Sequence, residues 1–191
     1  GETLKSAVIT IPASFDTIQS NATKKAGYQA GFEEIVLLQE PIAACLAYSN
    51  SLNIEITSDQ KWLVYDFGGG TFDIALVNIN ERDLKVFDHK GNNFLGGVDL
   101  DTLFVEKIIC PKIEKATQES GLWSKIIAKE NPIYNKLFFE LLYKAEEAKK
   151  ELSIKEISSI EIDFDELSIS LDIDIRREEF EAIITPKFEE S

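Results

Sequence analysis

The chain has 191 residues, of which 20 are basic and 34 acidic, so its formal net charge is −14. Hydrophobic residues make up 44% of it, which is enough for one large domain or two lobes and argues against overall disorder. The acidic balance argues against nucleic acid or an anionic membrane surface as a partner, because both attract clustered Lys and Arg. No run approaches the roughly 20 apolar residues of a membrane-spanning helix.

The few cysteines, the single histidine and the absence of methionine bear on the kinds of site and on the origin of the chain. Cys45 and Cys110 lack the spacing of a metal site or a disulfide framework, so we expect a reducing cytoplasm. A single histidine, His89, argues against a His-based metal site and a Ser-His-Asp triad. Because the chain contains no Met and begins with Gly1, we expect it to be processed or excised from a longer protein.

The first 50 residues alternate apolar strands with helices. The first strand ends at Pro12, Asp16 is placed to cap the helix that follows, and Pro41 suits the first turn of a second helix. This alternation is typical of an α/β protein. The predicted elements are strands over 7–11 and 35–38 and helices over about 17–30 and 42–48.

The pattern then changes to an antiparallel meander, followed by helices and a strand pair. The strand pair alternates apolar and polar residues, which predicts one packed and one wet face. The long second helix keeps a single apolar stripe. We predict a linker over 53–60, strands over 62–67, 71–79 and 84–88, a loop over 92–97, helices over 100–119 and 132–152 separated by a polar break near 119–124, strands over 158–164 and 167–173, and a helix over 176–184.

Three glycines at 68–70 join two predicted strands, and an acid stands on each side of them. Glycines let backbone N–H groups approach a ligand, and such a nest favours phosphate oxygens. Asp66 and Asp73 are hard oxygen ligands suited to Mg²⁺ or a monovalent cation, and Thr71 adds a hydroxyl. Phosphoryl transfer needs this combination. The alternative is a hairpin with a flexible glycine turn; the segment is not a P-loop.

Glu40 stands at the end of a predicted strand and just before a helix. Such a carboxylate often lies at a ligand crevice, where it can orient an attacking water. The alternative is a surface carboxylate near a helix start.

A third candidate lies on the long helix, beside its apolar stripe. A carboxylate and a hydroxyl on one helix edge can bind ribose hydroxyls, while a lysine stem covers a base. The alternative is a solvated face with helical ion pairs. The four residues are Glu146, Lys149, Lys150 and Ser153.

Five segments, in this order and at this spacing, resemble the nucleotide-binding domain of the 70-kDa heat-shock chaperones of the DnaK type. The resemblance implies a partial ribonuclease-H-like, actin-like ATPase fold with an α+β outer subdomain. It also implies an inner subdomain end at 1–56, part of a second inner subdomain at 57–98, the outer subdomain at 99–184 and a tail at 185–191. The segments are 8–13, 40–48, 66–73, 95–101 and 144–153.

By position, the resemblance implies an ATPase that drives cycles of client-peptide binding. Glu40 would position water, Thr71 would assist hydrolysis, and Asp66 and Asp73 would hold Mg²⁺ and K⁺ ions. Pro12 matches a proline that switches between states. The nucleotide (ATP or ADP) would contact Gly68, Gly69, Gly70 and Thr71 through its phosphates, border Gly97, and bind Glu146, Lys149, Lys150 and Ser153 through its adenosine. Implied partners are a J-domain co-chaperone and a nucleotide-exchange factor.

The sequence departs from the family pattern in two ways. It lacks the family's first phosphate loop, the lysine that reaches the γ-phosphate and a later glycine-serine segment, so we expect the isolated chain to bind ATP poorly and hydrolyse it negligibly. Positions that couple nucleotide state to the interdomain linker and J-domain partners also differ, so we expect a divergent member. Those positions are Ser14, Ser20, Val36 and Gln39.

Two other functions remain open. A sugar or acetate kinase with the actin-like fold also uses acid-flanked glycine turns, but it usually lacks the pattern over 144–153 together with the Glu40-Pro41 pair. A chaperone-like interaction module without catalysis would explain the departures at Ser14, Ser20 and Val36.

Overall fold

Mixed α/β structure is present throughout the computed structural model, which describes residues 4–53, 60–80, 83–92, 94–117 and 120–190. The chain divides into two compact units, Gly1–Asn93 and Phe94–Ser191. Within the described ranges, no helix has both the length and the apolar character needed to cross a membrane. Residues 54–59 of the predicted linker fall outside these ranges.

The first unit begins with the two strands and two helices that the sequence predicts, and the two strands pair in parallel. The Asp16 carboxylate accepts a hydrogen bond from the Gln19 backbone N–H at 2.8 Å, and the Gln19 side chain accepts one from the Asp16 N–H, which fixes the start of the first helix. Gly27 is buried, and a Cβ there would lie 2.2 Å from Ile35 Cδ1, so the glycine lets this helix approach the second strand. The elements are β1 (Ser6–Ile11), α1 (Thr17–Gln29), β2 (Glu34–Gln39) and α2 (Glu40–Ser51).

An antiparallel meander completes this unit, in the strand order β3-β4-β5. Helix α2 covers one face of it, where Ile42 and Cys45 pack with Val77 and Ile79. The predicted loop over 92–97 begins too early, because β5 continues through Asn92 by pairing with β4 despite its polar sequence. Backbone hydrogen bonds of a ladder do not depend on side-chain polarity. The strands are β3 (Gln60–Phe67), β4 (Phe72–Asn80) and β5 (Asp83–Asn92).

The second unit begins with a helix that changes its pitch in the middle. Helix α3 (Gly97–Phe104) passes through a π-helical turn, Val105–Ile109, into α4 (Cys110–Thr117). Pro111 explains this turn: proline has no N–H to donate, and its ring clashes with the carbonyl four residues earlier. The π-helical turn widens the helix just before Pro111. There the Cys110 N–H donates to the carbonyl of Val105, five residues earlier.

A short helix, α5 (Leu122–Ala128), occupies part of the predicted polar break, so that prediction is wrong from Leu122 onward. Leu122 and Ile126 are buried in the core of this unit, and the Leu122 N–H donates to the Glu114 carboxylate at 2.6 Å. Long-range packing of its apolar residues therefore stabilises this short helix.

The long helix α6 (Pro132–Leu152) is confirmed, and it packs beside an antiparallel strand pair. Strand β6 (Ile157–Phe164) alternates buried and exposed residues along its whole length, as the sequence predicts. Strand β7 (Ile169–Arg176) starts two residues later than predicted, because 165–167 form a 3₁₀ turn that ends at Ser168 with φ of 52°. The last helix, α7 (Arg177–Glu189), runs beyond its predicted end at 184.

The packed face of the strand pair predicts a large stability difference between two isoleucines. Ile162 on β6 is 0% exposed, whereas Ile154, just after α6, is 84% exposed. We expect Ile162→Ala to lower the free energy of unfolding by about 2–4 kcal/mol, because it leaves a cavity in the core. Ile154→Ala should change it by less than about 0.5 kcal/mol. Urea unfolding followed by circular dichroism measures both; equal losses would contradict the assigned core.

Candidate functional site

A glycine hairpin connects β3 to β4 in the first unit. The Gly68 N–H donates to the Thr71 carbonyl at 2.9 Å and closes a four-residue loop. A Cβ built on Gly69 or Gly70 would meet nothing within 4 Å, and neither has a φ in the left-handed region. These glycines therefore leave an open backbone that a ligand can approach, rather than relieving strain. Thr71 is half-buried at the end of the loop.

Asp66 and Asp73 lie directly opposite each other in the register of β3 and β4. Asp73 is only 5% exposed, and among the described residues its Oδ1 atom has no hydrogen-bond partner. A buried carboxylate oxygen without a partner is costly unless a cation or donor satisfies it. The donor set therefore fits a hard cation such as Mg²⁺.

Glu40 is the first residue of α2, directly after β2. Burial raises the pKa of its carboxyl group, and the nearby charges of Asp66 and Asp73 raise it further. The structure thus brings together the three acids that sequence reasoning singled out in this unit.

These acids do not enclose a metal by themselves. Among the described residues, no group of three or more His, Cys, Asp or Glu side chains has an arrangement that could hold a metal ion. Mg²⁺ usually keeps several waters and binds one or two carboxylates together with substrate phosphates. Asp66 and Asp73 suit this mode, in which the ligand completes the coordination.

Pro12 follows the last residue of β1 and is half-buried. Its carbonyl accepts a hydrogen bond from the Phe15 N–H at 3.2 Å, which forms a turn before α1. The role of Pro12 as a switch between states stays a prediction.

In the second unit, three of the four helix residues proposed for adenosine lie on the exposed edge of α6. Lys150 Nζ is 3.0 Å from a Glu146 carboxylate oxygen and 2.8 Å from one of Glu147. These contacts lower the pKa of Glu146 and raise that of Lys150. Ser153, at the end of the helix, donates its hydroxyl to the Lys150 carbonyl at 2.6 Å. The edge is accessible, and its charged groups pair with each other.

Lys149 has a different environment from the other three. Its Nζ lies 2.7 and 2.8 Å from the two carboxylate oxygens of Asp101, and 3.2 Å from the Gly97 carbonyl oxygen. The Asp101 side chain is 5% exposed. Burial raises the pKa of this carboxyl, and Lys149 opposes the shift by hydrogen bonding and by its charge. The ammonium therefore connects α6 to the first turn of α3, where Gly97 lies.

Sequence reasoning placed Lys149 with the ligand-binding residues and gave Asp101 no role. A signal for the ion pair was present, however. Asp101 lies between Leu100 and Phe104 at helical spacing, so it falls on the apolar side of its helix, where both of these neighbours are buried. A carboxylate on a buried face needs a cationic partner.

The ion pair predicts a pH-dependent stability defect. Lys149→Met keeps the apolar stem but leaves the Asp101 carboxylate buried without its cation, so we expect a loss of about 1–3 kcal/mol at pH 7. Because the folded-state pKa of Asp101 lies above its unfolded value, folding favours the protonated acid. The defect is therefore smallest below about pH 4 and grows as the pH rises through the folded-state pKa. Urea unfolding across this pH range measures it.

Lys155→Met is the matched control. Lys155 pairs with Glu151 at 3.2 Å on the surface, where both side chains are well exposed. We expect a much smaller loss at every pH, because exposed ion pairs contribute little. A pH-independent loss in Lys149→Met, or equal losses in the two variants, would contradict the assignment.

Comparison with known proteins identifies the family. The sequence matches the family model described as Hsp70 protein over residues 1–191. It is 35% identical over 190 residues to the chaperone protein DnaK of Metamycoplasma hominis, an overlap of 96% of this chain and 29% of that protein. The DnaK of Mycoplasmopsis synoviae is also 35% identical, over 189 residues, with the same coverage.

The chain therefore spans less than a third of the length of these relatives. The resemblance that its five sequence segments indicate is confirmed by a match that extends over all 191 residues. On this basis, the chain belongs to the Hsp70 family of chaperone proteins.

Proposed function

We propose that the chain forms part of the ATP-binding and ATP-hydrolysing portion of a chaperone, with a partial ribonuclease-H-like, actin-like fold. The observation that carries the proposal is the open glycine hairpin flanked by Asp66 and by the buried Asp73, whose Oδ1 has no hydrogen-bond partner among the described residues, with Glu40 beside them. In this proposal the first unit holds the end of one inner subdomain and part of a second, and the second unit holds the outer subdomain.

In this proposal, residues of the first unit bind the phosphates and act in hydrolysis. Backbone N–H groups of Gly69, Gly70 and Thr71 donate to phosphate oxygens, since the loop is open to solvent on their side. Asp66 and Asp73 hold Mg²⁺ and K⁺, and a bound cation supplies neutralisation of the charge on the phosphates. The Glu40 carboxylate orients the attacking water, and the Thr71 hydroxyl assists it.

The exposed edge of α6 binds the adenosine in this proposal. Glu146 and Ser153 present a carboxylate and a hydroxyl to ribose, and the Lys150 stem covers the base. Lys149 acts in this proposal through its bond to Gly97, which borders the nucleotide.

Client peptides, a J-domain co-chaperone and a nucleotide-exchange factor are the proposed partners, and the cytoplasm is the proposed location. The coupling surface for such partners is altered. Val36 on β2 pairs in register with Val8 on β1, and the two side chains are 60% and 64% exposed. The family arginine expected at position 36 would place a charge there, so the apolar pair favours a partner adapted to this member.

Two substitutions test the catalytic assignment in the longest natural protein that contains this chain. We expect Glu40→Gln and Thr71→Ala each to lower the rate of ATP hydrolysis by about 10²-fold or more, because each removes a group that acts on the attacking water. A coupled phosphate-release assay at saturating ATP measures the rate. Glu34→Gln, which alters an exposed acid on β2, is the control and should leave the rate unchanged.

The same assay separates the alternatives. Turnover that persists in both variants would contradict the site assignment. ADP formation that requires glucose or acetate would indicate an actin-fold kinase. Absence of hydrolysis in the unmodified protein would favour the interaction module without catalysis, for which the substitutions at Ser14, Ser20 and Val36 are the supporting observation.

A further inference from the structure

We propose that Gly91 is a positioning residue for the cation-binding carboxylate of Asp73, an inference that rests on the proposed function of Asp73. Gly91 lies on β5, directly opposite Asp73 in the register of the β4–β5 pair. Opposed residues of an antiparallel pair place their side chains on the same face of the sheet. A side chain at position 91 would therefore lie on the same face of the sheet as the Asp73 carboxylate.

A methyl group at position 91 has no room beside that carboxylate. A Cβ built there would lie 2.4 Å from Asp73 Oδ1, 3.1 Å from its Cγ and 2.8 Å from the Phe72 carbonyl oxygen. Contacts below 3.0 Å are essentially never observed for a real Cβ. The Phe72 oxygen belongs to the paired backbone, so the carboxylate is the group that can move.

Backbone conformation does not require glycine at this position. Gly91 is not among the described residues with positive φ, so a left-handed backbone conformation is not the reason for glycine here. Glycine within a strand is usually unfavourable, and it often marks close approach of another group. Here the approaching group is Asp73 Oδ1, which is buried and without a hydrogen-bond partner among the described residues.

The space left by Gly91 thus determines where the Oδ1 atom of the Asp73 carboxylate lies. With glycine, the carboxylate lies against the β5 backbone, and its buried Oδ1 keeps a position in which no described residue donates a hydrogen bond to it. With alanine, the carboxylate must rotate or shift, which displaces the oxygen from that position. The expected consequence is weaker cation binding, comparable to the roughly 10- to 100-fold losses seen when groups that orient metal ligands are removed.

Mn²⁺ is the probe, because electron paramagnetic resonance reports its free concentration directly. The measurement uses the longest natural protein that contains this chain, with the variants Gly91→Ala, Asp73→Ala and their double mutant. We expect Gly91→Ala to raise the Mn²⁺ dissociation constant about 10-fold. The double mutant should bind no more weakly than Asp73→Ala alone, since Gly91 acts through Asp73.

His89→Ala is the matched control, because His89 lies two residues earlier on β5, is exposed and pairs with Ala75. It should leave Mn²⁺ affinity unchanged. Loss of affinity in Asp73→Ala but not in Gly91→Ala would overturn this inference while leaving the proposed function intact. Undiminished affinity in Asp73→Ala would overturn both, and so would absence of binding to the unmodified protein.

Thermal unfolding in EDTA provides a readout that does not depend on the cation. If Gly91→Ala folds poorly, the double mutant should recover stability, because removal of the Asp73 carboxylate relieves the contact. A double mutant that remains as unstable as Gly91→Ala would assign the clash to the Phe72 carbonyl and overturn the inference.

Discussion

Pairing of β4 with a strand on each side is the constraint on which the candidate site depends. The two registers place Asp66, Asp73 and Gly91 in a single row across three strands. The row belongs to the face that α2 covers, because Asp73 alternates in step with the buried Ala75 and Val77. Core and site therefore occupy one continuous face, and the apolar residues give way to acids only in the row next to the glycine hairpin.

In the second unit, the single helix α6 contributes both to the core and to the exposed edge that carries the candidate residues. Residues along one side of α6, such as Leu141 and Ala145, are buried in the core, while Glu146 and Lys150 remain exposed. Lys149 lies at the boundary, where its ammonium reaches a buried acid on α3. Rotation of α6 about its axis would break this ion pair and the core contacts together, so the exposed edge is held in a defined orientation.

Strand and helix periodicity was sufficient to predict most of the architecture, including the α/β alternation of the first 50 residues, the meander and the long helix. It failed where contacts distant in sequence decide the structure. Helix α5 is held by burial of Leu122 and Ile126, and β5 is extended over polar residues by its pairing. Asp66 and Asp73 were predictable because they flank a recognisable glycine turn, and Glu40 because it stands between a predicted strand and a helix. Helical spacing indicates that Asp101 lies on the buried side of its helix, but it does not reveal its partner Lys149 or the close approach of Gly91 to Asp73, because these partners lie on other elements.

The register of β5 contains a shift between Leu76 and Val77, where Leu76 pairs with Asp88 and Val77 with Val86. Phe87 is thus the extra residue of a β-bulge. Residues 83–86 and residues 88–92 of β5 therefore pair with β4 in registers that differ by one residue. If Phe87 instead paired with Leu76 in regular register, Lys90 rather than Gly91 would lie opposite Asp73, and its ammonium would compete for the carboxylate. The bulge at Phe87 thereby determines whether a glycine or a lysine lies opposite this buried acid.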